Sequence, residues 1–179
     1  MKKFIVLDRD GTLIEHIPYL SDPIKVKLLS TVKKSIKKLL DNNCILFLHT
    51  NQSGISRDYF NLNDVIMCNN EMINQIGLGK NIFTDVCIAE DYPPKKKSYR
   101  KPSPKFGNEI IANFNINKSS IYYVGDSISD LETAYNLGSN AYGVNTGLVN
   151  LKSSIKNNNK LKYDIFDNLL DIVNKILLK

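Results

Sequence analysis

Two aspartates one residue apart, Asp8 and Asp10, directly follow the first apolar run of the chain, Phe4–Leu7. Thr50 and Asn51 follow a second such run. Arg100 and Lys101 close a polar stretch. Asp126 follows another apolar run, with Ser127 and Asp130 just beyond it. Brought together, these side chains have one coherent chemistry. Carboxylates held close repel one another unless a cation neutralises them. Hard oxygen ligands without His or Cys suit Mg²⁺, which keeps waters and bridges to phosphate. A lysine and a hydroxyl suit the remaining phosphoryl oxygens. A carboxylate can also attack phosphorus and form an aspartyl-phosphate. The spacing of Asp8 and Asp10 lets one act as nucleophile while the other handles the protons of the leaving group and of water.

The elements needed to gather them are legible as alternating apolar runs and helical periodicities. Strands are expected at Phe4–Leu7, 44–48, 86–89, 121–124 and 141–144, with a short one near Ile165. Between them, Val32, Ile36, Leu39 and Leu40 repeat at helical spacing after a possible cap at Ser30. Val65, Ile66, Met72, Ile73 and Ile76 do so after Asn63. Ile110, Ile111 and Phe114 follow Ser103-Pro104, with proline at the first helical position. Leu131, Ala134, Tyr135 and Leu137 lead to a stop at Gly138. Residues 146–160 read as irregular, and a helix from about Asn168 closes the chain. Strands that alternate with helices pair in parallel, with helices on both faces. The expectation is a single α/β domain over residues 1–179, with a doubly wound, Rossmann-like parallel sheet. In such a sheet, ligands bind beyond the carboxyl ends of the strands. That edge is where Asp8, Asp10, Thr50, Asn51 and Asp126 fall.

Composition narrows the class. Of 179 residues, 42% are apolar and 23% charged, which excludes a fibre or a disordered chain. No run approaches the ~18 apolar residues of a membrane span. Residues 1–8 lack the small-residue cleavage site of a signal peptide, so a cytoplasmic protein is expected. The net charge of +6 comes from 24 basic and 18 acidic residues. The lysines are scattered and not interleaved with aromatics, so no nucleic-acid partner is expected. Cys44, Cys68 and Cys87 are odd in number and show no C-x-x-C spacing, which argues against a disulfide framework.

Asp8-Arg9-Asp10-Gly11-Thr12 resembles the D-x-D-G-T signature of the haloacid dehalogenase (HAD) superfamily phosphatases. Thr50, Lys101 in Arg100-Lys101-Pro102, and G-D-x-x-x-D at residues 125–130 match its other elements in order. Pro18-Tyr19-Leu20 and Thr50-Asn51-Gln52-Ser53-Gly54-Ile55 are similar to a small subgroup with minimal or no cap domain. That subgroup acts on D-glycero-D-manno-heptose 1,7-bisphosphate, releasing the 7-phosphate in heptose biosynthesis, or on histidinol phosphate. The domain of polynucleotide 3′-phosphatases also resembles this subgroup.

The resemblance implies Asp8 as nucleophile and Mg²⁺ ligand, and Asp10 as general acid/base lending its carbonyl to the metal. Thr50 and the Asn51 N–H would bind the phosphoryl group, and Lys101 would neutralise it. Asp126 would ligate Mg²⁺, with Asp130 orienting the cluster. Ser53, Arg57 and Arg100 would contact the rest of a small phosphorylated sugar. A monomer with no membrane partner is implied. Many members carry a zinc loop of Cys and His before Arg-Lys-Pro. Here that stretch holds one cysteine and no histidine, so no zinc is expected. His49 reads as a core residue and His16 as an exposed loop residue. Lys95–97 reads as a solvated tip, Gly54 as a turn needing positive φ, and Tyr122-Tyr123 as strand packing.

Overall fold

The computed structural model describes residues 2–92, 98–156 and 163–178. The expected loop lysines 95–97 lie outside them. Six parallel strands form one sheet in the order β3-β2-β1-β4-β5-β6. They are β1 (Phe4–Leu7), β2 (Ile45–Asn51), β3 (Asp85–Ala89), β4 (Ile121–Gly125), β5 (Asn140–Val144) and β6 (Ile165–Phe166). The inner strands β1, β2 and β4 carry apolar residues on both sides because both faces are covered. Ile5, Leu7, Leu46, Leu48, Tyr122 and Val124 belong to one buried cluster with Ile36, Met72 and Ile172. Phe4, Val6, Phe47, Ile121 and Tyr123 belong to the other, with Phe106, Ile110 and Leu131. Successive strand residues thus alternate between two cores, as the period of two requires.

The first core is covered by helices α1 (Val32–Asp41), α2 (Leu62–Ile76) and α6 (Leu169–Leu177). The second is covered by α3 (Lys105–Phe114), α4 (Ile128–Leu137) and α5 (Leu151–Lys156). Several ends differ from the sequence reading. α1 begins after Thr31, whose side chain makes no cap bond, rather than after Ser30. α2 is capped by Asn61, not Asn63. Asn61 accepts from the Asp64 N–H while the Asp64 carboxylate accepts from the Asn61 N–H. That reciprocal pair stabilises the earlier start, since it satisfies two donors where Asn63 alone would satisfy one. Pro104 precedes α3 instead of opening it. The stretch read as irregular after β5 contains α5, started by Asn145 Oδ1 accepting from the Leu151 N–H at 2.8 Å. Ile66 and Tyr135, expected inward, are exposed.

The order places β1 between β2 and β4, so the chain winds outward in both directions from β1. The crevice where the winding reverses opens beyond the carboxyl ends of these three strands. Between β1 and α1 the chain carries isolated bridges from Ile14 to Asp10 and Leu28 and a single helical turn at Pro23–Lys25. Between β2 and α2 it carries another at Ile55–Arg57. Among the described residues neither connection builds a second sheet over the crevice.

Candidate active site

Each carboxyl end contributes the residue the sequence placed there. Asp8 follows Leu7 and its N–H donates to Val124 O at 2.9 Å, which ties the end of β1 to β4. Gly11, at φ 78°, then turns the chain sharply. A side chain on Gly11 or Gly147 would collide with the Asp126 carboxylate, so two backbones close around that group. The crevice is a cavity of about 530 Å³. Asp8, Asp10, Thr50, Asn51, Ser53, Lys101 and Asp126 all line it.

Lys101 is 4% exposed, and its Nζ donates to Asp8 Oδ1 at 2.6 Å and to Asp130 Oδ1 at 2.5 Å. Burial opposes its charge, but the Asp130 and Asp8 carboxylates outweigh it and hold the ammonium above its ordinary value. Asp130 completes a cap at the start of α4, where its Oδ2 accepts from the Ser127 N–H and hydroxyl. Both Asp130 oxygens are therefore engaged. Asn51 spends its side chain on the Lys101 backbone, accepting from its N–H at 2.9 Å and donating to its carbonyl at 3.3 Å. This lash fixes the polar loop to the end of β2.

Asp8, Asp126 and Asp130 can bring one oxygen each within 4.8 Å of one another. Burial raises the Asp8 carboxyl well above the usual range; Lys101 pulls it down, while Asp130, Asp126 and Asp10 add to the rise. Asp126 is raised too, by burial first, with His16 opposing. A crowded set of buried oxygen donors with one cation against three carboxylates is short of positive charge. A hard divalent cation fits that deficit. Asp130 is occupied by its cap and Lys101, which leaves Asp8 and Asp126 as the side chains suited to hold it.

The sequence reading passed over a second layer. Arg9 is 1% exposed and pairs with its neighbour Asp10, with Nη2 2.9 Å from Oδ2. Gln52 Nε2 bridges Thr50 Oγ1 at 2.7 Å and Asp10 Oδ2 at 2.9 Å. His16 lines the cavity with Nδ1 3.6 Å from Asp126 Oδ2, and is only a third exposed. The nearby Asp126 carboxylate raises the ring above its ordinary value, against the effect of burial. His49 is packed in the core as expected. Its Nε2 is 2.9 Å from Tyr99 O, which assigns the proton to that nitrogen, and burial lowers its pKa to about 3.

Arg57 and Arg100 stand outside the cavity lining. Their guanidinium carbons lie 3.8 Å and 5.4 Å from the centre of the Tyr92 ring. Tyr19, which does line the cavity, meets Tyr59 edge to face at 4.8 Å. Gly54 does not need positive φ. It is at φ −62°, and the Phe60 ring fills the space a Cβ would take. Cys87 is buried, and burial pushes its thiol up to about 12.

Residues 3–169 match the family described as Polynucleotide kinase 3 phosphatase. The chain belongs to that family. It is a hydrolase of the HAD phosphatase type, and its sheet is the fold of that superfamily. It is 31% identical over 182 residues to the D-glycero-beta-D-manno-heptose-1,7-bisphosphate 7-phosphatase of Haemophilus ducreyi, covering 96% of this chain and 97% of that one. It is 28% identical over 142 residues to the histidine biosynthesis bifunctional protein HisB of Legionella pneumophila, covering 78% of this chain and 40% of that longer protein. Among solved structures, the D,D-heptose 1,7-bisphosphate phosphatase of B. bronchiseptica, complexed with magnesium and phosphate, superposes with a TM-score of 0.87. The identity is 23%, over 98% of each chain. No helix among the described residues is long and apolar enough to cross a membrane.

Proposed function

We propose that this phosphatase removes the 7-phosphate of D-glycero-D-manno-heptose 1,7-bisphosphate, using Mg²⁺ and an aspartyl-phosphate on Asp8. The observation that carries the mechanism is the convergence of Asp8, Lys101 and Asp126 at the floor of one cavity, with Asp10 beside them. A carboxylate oxygen of Asp8 attacks phosphorus, the P–O bond to the sugar breaks, and the departing oxygen takes a proton from Asp10. Water then attacks the phosphorus of the aspartyl-phosphate and gives its proton to Asp10. The P–O bond to Asp8 breaks and inorganic phosphate leaves. Lys101 offsets charge on the transferring group, and Thr50 with the Asn51 N–H contacts its oxygens. Asp8, Asp126 and the Asp10 carbonyl would hold Mg²⁺, whose contribution is to screen carboxylate and phosphoryl charge.

The substrate reading is supported by the heptose bisphosphatase relatives, which match nearly end to end. The cavity suits a phosphorylated sugar, with Ser53 on its wall and two arginines gathered on Tyr92 outside its lining. A second phosphate, distant from the reacting one, needs such cationic partners. Histidinol phosphate is the second reading, favoured by the similarity to the bifunctional histidine-biosynthesis protein. Phosphate release should be measured on both heptose 1,7-bisphosphate anomers, histidinol phosphate and a 3′-phosphorylated oligonucleotide. The highest kcat/KM is expected on a heptose bisphosphate. A higher value on histidinol phosphate or the oligonucleotide would overturn the substrate while leaving the chemistry.

A further inference from the structure

Arg9 is among the largest fully buried side chains, and nothing in the reaction above uses it. Burying a guanidinium is costly unless every donor is matched. Its Nε donates to Asp10 Oδ2 at 3.1 Å and its Nη2 to Asp10 Oδ1 at 3.0 Å. Its Nη1 turns the other way, to Asn69 Oδ1 at 3.1 Å. Asn69 is itself 5% exposed on α2, flanked by the core residues Cys68 and Met72. Two consecutive side chains can meet here because the chain leaves β1 and turns at Gly11. Gln52 adds a third donor to the same carboxylate from the end of β2.

We propose that Arg9 is a positioning residue for Asp10, holding its carboxylate in one rotamer by bracing it against Asn69 of α2. The proposal rests on Asp10 being the general acid/base. A planar fork on the carboxylate fixes both the orientation and the distance of the group that must meet the leaving oxygen. A lysine could satisfy one oxygen but could not also reach Asn69 in the same plane. The first turn of the loop after β1 is thereby referenced to a helix on the face of the sheet. A misplacement of about an ångström at such a group is enough to cost much of its catalysis.

A proton donor matters only when the leaving group needs a proton. The test therefore compares kcat/KM for two substrates in the full-length protein. One is the best alkyl phosphate of the panel above, and the other is p-nitrophenyl phosphate, whose leaving group departs unaided. Arg9→Met and Asn69→Leu should lower kcat/KM about ten- to hundredfold on the alkyl phosphate and less than about threefold on p-nitrophenyl phosphate. Arg9→Lys should recover part of the loss. Where Arg9→Met does not fold, Asn69→Leu, which leaves the guanidinium in place but unbraced, is read alone. Equal losses on both substrates would overturn the proposal and leave Arg9 a structural residue. Asp10→Asn is the control for the underlying assignment. If it loses equally on both substrates, Asp10 is not the acid, and that reading fails instead.

Discussion

Lys101 Nζ lies 2.6 Å from Asp8 Oδ1, although 93 residues separate them in the chain. The contact closes the crevice from the side of β2, because Asn51 grips the Lys101 backbone at both its N–H and its carbonyl. The ammonium also links Asp8 to Asp130 at the start of α4, so one side chain joins three loops. Lys101→Met should lower kcat about 10²- to 10³-fold, the scale seen when one donor to a developing anion is removed. Steady-state kinetics with the best substrate checks this. Circular dichroism should show the fold retained.

Metal removal tests the charge deficit directly. EDTA should abolish phosphate release and Mg²⁺ should restore it. Mg²⁺ at 100 times its Kd should stabilise the folded chain by about 2.7 kcal/mol, visible as a raised Tm. Asp126→Asn should remove that shift. Elemental analysis should find no stoichiometric zinc, because residues 87–101 hold one cysteine and no histidine.

On the proposed substrate, Arg100 would meet the distal phosphate. Partial burial, with Arg57 close by, lowers its pKa. An anion arriving there would relieve the repulsion. Arg100→Ala should raise KM for the bisphosphate about ten- to hundredfold, the scale of a charge-assisted hydrogen bond, and change KM for a simple monophosphate little. Equal increases would assign Arg100 to the reacting phosphate.

His49 makes a prediction about stability. Its imidazole protonates near pH 6.5 in the unfolded chain and only at about 3 in the folded one. Between those values the unfolded chain binds the extra proton. Stability from this group is complete above 6.5 and is lost as pH falls toward 3, with a slope of up to about 1.4 kcal/mol per pH unit. Urea unfolding at pH 7 and pH 5 should show a smaller loss in His49→Gln, which keeps a donor toward Tyr99 O but does not titrate.

The side chains proposed to react were legible because a parallel sheet delivers them by position. Asp8, Thr50 and Asp126 sit at or just past the ends of apolar runs, and any such run ends at the same edge. The braces were not legible, since Arg9, Gln52 and Asn69 look like ordinary polar residues until the packing buries them. Helical spacing does place Asn69 inward, four residues after Val65 and three before Met72, but it does not say which side chain meets it. Asn61 could have been found, because the acidic residue three positions on marks a capping box, whereas Asn63 has only its residue type to recommend it. Gly54 was read as a turn on residue type alone. Only the structure shows that an aromatic ring 6 positions away along the chain, Phe60, needs the missing side chain.

The proposed chemistry turns on Asp8 carrying the phosphoryl group. The protein should be mixed with excess substrate, quenched in acid during turnover, reduced with borohydride, and mapped by mass spectrometry. Borohydride converts an aspartyl-phosphate to homoserine, so homoserine at position 8 is the expected product, absent from Asp8→Asn, which should also release no phosphate. Undiminished turnover by Asp8→Asn, or a reduced residue at any other position, would contradict it.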